Sequence, residues 1–247
     1  MLYLDADLPP GALVGQAGPA LAATMAAVGG VWLQAGPDHV ETAGGVTTAW
    51  HPLQGGGLAQ PAQPNKGNGM LGPQGMQLQA GKNCGYVLEG AVADTTCLSF
   101  AVLYSAPAQD IRTILSVKLT DAKNYLFLYE QEGVLALKDQ GGAGAITCDV
   151  IAAQGQKLVV GGLSNQRLYL RQGSAQVQIA DAPGLVFAGA ADLFIGCRSH
   201  REGLLKTFGS GAIAAVFLWP GLNVLDPASA DGVAQLRALD HYRFWDA

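Results

Sequence analysis

Charge is scarce in this sequence. Lys, Arg, Asp and Glu make up only 13% of its 247 residues, against an ordinary share of about 25%. The 14 basic residues are outnumbered by 19 acidic ones, for a net charge of −5, and no basic stripe occurs. That removes the electrostatic footprint of a nucleic-acid partner and the basic amphipathic helix of a membrane-surface protein. No Lys or Arg precedes Lys66. The opening Met1-Leu2-Tyr3-Leu4-Asp5-Ala6-Asp7 is acidic where a secretory signal needs positive charge, so no export signal is expected.

Long apolar runs are lacking too. The stretch from Leu8 to Pro37 is uncharged, but Pro9, Pro10, Gly11, Gly15, Gly18, Pro19, Gly29 and Gly30 interrupt it. A membrane span needs about 20 predominantly apolar residues with basic flanks, so no insertion is expected. Cysteine is sparse and unpatterned. Cys84, Cys97, Cys148 and Cys197 form no C-x-x-C. They read as small buried hydrophobes rather than as disulfide or zinc ligands.

Catalytic signatures are missing as well. There is no Gly-x-Ser-x-Gly, phosphate loop or His-Glu-x-x-His. Alternate carboxylates on one strand bring nucleophile and acid to one sugar, as glycoside hydrolysis demands. Glu130-x-Glu132 alone approaches that pattern, and with Gly133 following it reads as a solvated turn. The expectation is a protein that is not an enzyme and holds no cofactor.

What is abundant is small and apolar. Hydrophobic residues reach 49%, glycines number 34, and mean hydropathy is +0.22. Low charge has two readings: surface hidden against neighbours, or an Ala- and Gly-rich composition inherited from a GC-rich genome. The length suits one large domain with an appendage or two small ones.

Residues 1–70 differ from the rest. Pro19 opens an Ala-rich run with Leu21, Met25 and Val28 on one stripe, closed by Gly29-Gly30, which predicts a short helix over 19–28. Gly55-Gly56-Gly57 and Gln60-Pro61-Ala62-Gln63-Pro64-Asn65 read as loop or linker. With too little regular structure for a core of its own, 1–70 is expected to be a docking segment. Leu21, Met25, Val28 and Trp32 are then its assembly contacts.

From Met76 the period becomes two. Strands are predicted at 76–79, 96–104, 111–119, 125–129, 134–138, 158–161, 167–171, 176–179, 193–196 and 213–219. Leu98, Phe100, Val102 and Tyr104 share one face, and Tyr125, Phe127 and Tyr129 share another. Such short strands, with Gly, Asn and Asp between them, predict two packed antiparallel sheets over 71–226. Asp226-Pro227 then starts a helix marked by Val233, Leu236 and Leu239, with 227–247 as helix and tail.

In order along the chain, several phrases resemble the laminin-G-like, concanavalin-type β-sandwich. They are Ser99-Phe100-Ala101-Val102; Tyr125-Leu126-Phe127-Leu128 through Gly133-Val134-Leu135-Ala136-Leu137; and Leu158-Val159-Val160 leading to Arg167-Leu168-Tyr169-Leu170-Arg171-Gln172-Gly173. Leu193-Phe194-Ile195-Gly196 and Phe208-Gly209-Ser210-Gly211-Ala212-Ile213 complete the series. The sequence departs from the pattern at Gln156, where the family often has Trp, and at Gln172, where it often has Asn or Asp. The resemblance implies a jelly-roll sandwich that binds ligand or partner.

Two polar loops are the candidate sites. Arg198, His200 and Arg201 follow a predicted strand and stand where a glycan or protein partner would be met, although an ordinary solvated loop is the simpler reading. Asp121, Lys123 and Asn124 form the second, and in some laminin-G relatives such an Asp and Asn ligate calcium; a plain Asx turn is the simpler reading. Trp50 reads as a glycan platform or as packing. Two functions follow. One is a structural or receptor-binding component of a phage-like virion appendage, assembled with its own copies and other particle proteins and recognising a cell-surface glycan. The other is a free carbohydrate-binding module or degenerate glucanase.

Overall fold

A computed structural model describes residues 17–65, 69–151, 155–200 and 205–246. Every strand pairing in it is antiparallel, and the strands form two sheets packed face to face. One sheet runs in the order β16 (Gln178–Asp181), β15 (Arg167–Gln172), β14 (Lys157–Ser164), β9 (Cys97–Ser105), β18 (Gly211–Pro220), β1 (Val31–Gln34) and β4 (Pro52–Gln54). The small hairpin of β6 (Leu71–Gly72) and β7 (Gly75–Leu78) pairs onto β18. The other sheet runs β13 (Ala145–Asp149), β12 (Val134–Asp139), β11 (Tyr125–Gln131), β10 (Arg112–Leu119), β17 (Ala191–Ile195), β8 (Tyr86–Val92), β5 (Ala59–Pro61), β3 (Val46–Trp50) and β2 (Val40–Ala43).

Between the sheets lies the main core. Leu98, Phe100, Val102 and Tyr104 of β9 meet Leu126 and Leu128 of β11 and Leu135 and Leu137 of β12. Alternate residues of the first sheet face outward and are also buried, because two helices cover them. Ala101, Leu103, Phe217 and Trp219 pack on α1 (Ala17–Ala26) and α2 (Ala230–Asp246) through Leu21, Met25, Leu239 and Tyr242. This makes β9 and β18 nearly continuous apolar runs, as strands buried on both faces must be. Gln235 of α2 fastens the layers. It accepts from Trp219 Nε1 at 3.0 Å and donates to the Thr24 carbonyl of α1 at 2.7 Å.

The mainly β sandwich and the C-terminal helix agree with the sequence reading. The boundary near residue 70 does not: residues 17–61 supply α1 and strands to both sheets. β1 pairs along β18 from Val31–Leu218 to Gln34–Ala215, and β5 joins β3 to β8. Leu21, Met25 and Trp32, expected at an assembly surface, are fully buried within the chain, and Val28 packs partly buried against the same cluster. A segment too short of elements to fold alone has become part of its own sandwich by long-range pairing. Residues 1–16 lie outside the described structure.

The hairpin at 131–134 is a two-residue turn with Glu132 at φ 53° and Gly133 at φ 79°, the left-handed pair that such turns need. Glu130, expected in a solvated turn, is instead the last inward residue of β11 and is completely buried. The two-residue period that turns Leu126 and Leu128 inward also carries Glu130 to the core.

Candidate functional site

With helices over one sheet, the outer face of the other sheet is the surface that no described helix covers. Along β11 the side chains of Tyr125, Phe127 and Tyr129 point to this face, since Leu126, Leu128 and Glu130 occupy the core. Their ring centroids are 5.5 Å apart for Tyr125–Phe127 and 5.6 Å for Phe127–Tyr129, the latter pair stacked. Two cations sit on this ladder. The Arg198 guanidinium lies 3.9 Å from the Phe127 centroid, and Lys138 Nζ lies 4.6 Å from that of Tyr129. Each such contact contributes roughly 0.5–1 kcal/mol at an exposed site. Lys138 reaches Tyr129 because its position on β12 is cross-strand from Phe127.

Arg198 is anchored from below. Its Nε donates to Thr113 Oγ1 at 3.0 Å, and Thr113 lies cross-strand from Tyr129. Ser116, cross-strand from both Phe127 and Phe194, has a buried hydroxyl without a hydrogen-bond partner. His200 packs edge-on against Phe194 at 5.1 Å. Its Nδ1 accepts the Gln63 backbone N–H at 3.1 Å, so the ring proton sits on Nε2, which faces Glu89 at 3.8 Å.

The predicted residues thus fall in three places. Arg198 and His200 come together on this face, on either flank of the β10–β17 seam. Asp121 and Lys123 are exposed in the β10–β11 loop at the Tyr125 end of the ladder. Asn124 ties that loop to its neighbour, donating to the Val186 carbonyl at 3.1 Å, while its Oδ1 accepts the Tyr125 N–H at 2.9 Å. Among the described residues no group of three His, Cys, Asp or Glu side chains is placed to hold a metal. Arg201 lies outside the described residues. Trp50 is not a platform: it is fully buried, edge-on to Tyr86, and donates to the Gln34 carbonyl at 2.9 Å. Sequence reasoning found three aromatics on one face but not their two cations, which arrive from β12 and from the loop after β17.

Glu130 is held by two side chains from the facing sheet. Tyr104 donates to its Oε2 at 2.5 Å, and Lys157 Nζ donates to its two oxygens at 3.0 and 3.1 Å. Burial first, and the Glu130 charge second, push the Tyr104 phenol well above its usual range. A carboxylate with both oxygens occupied and no solvent contact cannot reach a sugar.

No family model matches the chain, and no curated protein matches its sequence. Solved structures do resemble it. Trypanosoma rangeli sialidase in complex with sialic acid superposes with a TM-score of 0.57 at 14% identity, over 87% of this chain and 33% of that one. The covalent intermediate of the same sialidase with 2,3-difluorosialic acid gives 0.57 and 14%, over 86% and 33%. Mouse laminin α1 domains LG4–5 give 0.40 and 17%, over 59% and 39%. This chain therefore spans about a third of the sialidase it matches, and at 14% identity the two share a fold.

Proposed function

We propose that this chain is a non-catalytic binding module whose ligand is an acidic glycan held on the outer face of the open sheet. The observation that carries the reading is Arg198 seated 3.9 Å over Phe127 within the Tyr125–Phe127–Tyr129 ladder. The half-buried phenol rings of Tyr125 and Tyr129 offer stacking surface for the C–H faces of sugars, and a planar guanidinium offers paired donors to a carboxylate or sulfate. Lys138 adds a second point charge beside Tyr129. The buried, fully bonded Glu130 supports a role without hydrolysis. A place on a phage-like appendage would draw in part on a docking segment, and residues 17–61 of that segment are built into the sandwich. We therefore prefer the free module.

Calorimetry with sialyllactose and with a heparin-derived hexasaccharide tests this. One of them is expected to bind, more weakly as salt rises, with Arg198→Ala and Lys138→Ala each losing roughly tenfold in affinity. Absence of binding to both, or variants that bind like the parent, would overturn it. Sugar release from a β-glucan panel would overturn the non-catalytic part.

A further inference from the structure

The helix layer does not seal the whole outer face of its sheet. Two clefts open along β1. One, of about 320 Å³, is walled by Pro19 and Ala22 of α1, by Trp32, and by the half-exposed Leu53. The other, of about 180 Å³, is walled by Gln74, Leu103, Gln156 and Ala215. Gln34 and Tyr242 line both, so the two are neighbours across a shared wall. The larger stands at the low end of the range for small-ligand sites, roughly 300–1,000 Å³.

Two properties set this place apart. First, among the described residues none that lines either cleft carries a charged side chain. What lines them instead is aromatic rings and amides: Trp32 and Tyr242 edge-on at 5.0 Å, with Gln34, Gln74 and Gln156. Second, Trp32 is 1% exposed, yet its indole Nε1 has no hydrogen-bond partner. The fold provides for the comparable donors of Trp50, which reaches the Gln34 carbonyl, and Trp219, which reaches Gln235. Buried donors without partners are rare in native proteins and ask for an explanation. Gln74 accepts from Ser105 Oγ at 3.0 Å through its oxygen, which leaves its amide hydrogens to give.

From this geometry we infer that the Trp32–Gln34–Tyr242 cleft is a second binding site, and that its ligand is a neutral saccharide. An uncharged, partly desolvated lining gives an ionic ligand nothing to offset the water it leaves. Sugar hydroxyls both donate and accept, which matches amide side chains and an unanswered indole N–H. The C–H faces of a sugar ring suit the aromatic walls. Two adjoining clefts give room for more than one sugar unit, with Gln34 and Tyr242 at the junction. This site is independent of the charged ladder on the opposite sheet.

The test is calorimetric titration of the full chain with cellotetraose, maltotetraose, xylotetraose and mannotetraose. At least one is expected to bind, with affinity unchanged between low and high salt. Trp32→Phe keeps a ring but removes the donor, and Gln34→Ala removes the shared amide. Each is expected to weaken binding roughly three- to tenfold, while Arg198→Ala leaves it unchanged. Gln34→Ala decides alone should Trp32→Phe fail to fold. No binding by any of the four sugars, or binding that Gln34→Ala leaves intact, overturns the assignment. Loss with Arg198→Ala would also overturn it, by assigning the neutral sugar to the other sheet.

Discussion

Lys157 of one sheet and Glu130 of the other form an ion pair inside the sandwich, with Nζ 3.0 and 3.1 Å from the two carboxylate oxygens. Tyr104, cross-strand from Lys157, closes the cluster by donating to the same carboxylate. Such a pair is held because each charge is matched, not because it adds much over an apolar core.

Glu130→Ala therefore leaves a nearly buried ammonium without its counter-charge. A loss of about 3–5 kcal/mol is expected, read from urea unfolding midpoints. The double variant Glu130→Leu with Lys157→Met removes both charges and is expected to recover most of that loss. A single variant within about 1 kcal/mol of the parent, the value of a surface pair, would show that the pair is not buried in solution.

Stability should fall in alkali. Burial raises the Tyr86 and Tyr104 phenols and the Cys197 thiol above their ordinary values. The folded chain keeps these protons where the unfolded chain releases them. Their contribution is fully present below the unfolded-state values, roughly 8.5 for a thiol and 10 for a phenol. It is lost as pH climbs beyond those, at about 1.4 kcal/mol per pH unit for each group. Urea midpoints should therefore drop between neutral pH and about pH 11, and Tyr86→Phe should flatten the slope. That variant also gives up the 2.9 Å bond to the Gly69 carbonyl, so it starts from a lower stability. A midpoint that stays level would place these groups in water.

Strands with a long two-residue period were legible from sequence, and short ones were not. The 97–105 strand showed its core face through Leu98, Phe100, Val102 and Tyr104. Val31-Trp32-Leu33 is too short for any period, and what makes it a strand is β18, far along the chain. Gln60-Pro61 reads as the start of a linker from its Gln- and Pro-rich surroundings, yet Gln60 lies cross-strand from Val87. Glu130 carried a local signal, the alternation with Leu126 and Leu128, but its partner Lys157 stands 27 residues away. The same distinction holds at the site. A polar loop at 198–200 could be read locally, while its seating on rings from β11 is a product of sheet order.

The fate of residues 1–69 gives the sharpest test. Sequence reading expects a chain beginning at Met70 to fold by itself; the structure predicts that it does not. Deletion removes Leu21, Met25, Trp32, Leu33 and Trp50, all buried to within 1%. At roughly 1.5–3 kcal/mol for each large apolar side chain, their loss rivals the whole 5–15 kcal/mol by which a domain is stable. It also strips β1 from the edge of β18, takes Trp32 from its contact with Phe217 at 5.4 Å, and leaves Gln235 without the Thr24 carbonyl. Exposed strand edge and bared apolar face together favour association. The fragment 70–247 is expected to aggregate, or to keep a β far-ultraviolet spectrum with no near-ultraviolet signal and no cooperative urea transition. Sedimentation and circular dichroism check this beside the full chain. A monomeric fragment that unfolds cooperatively would mean that the sandwich closes without β1, β3 and β5, and that residues 1–69 are a docking segment after all.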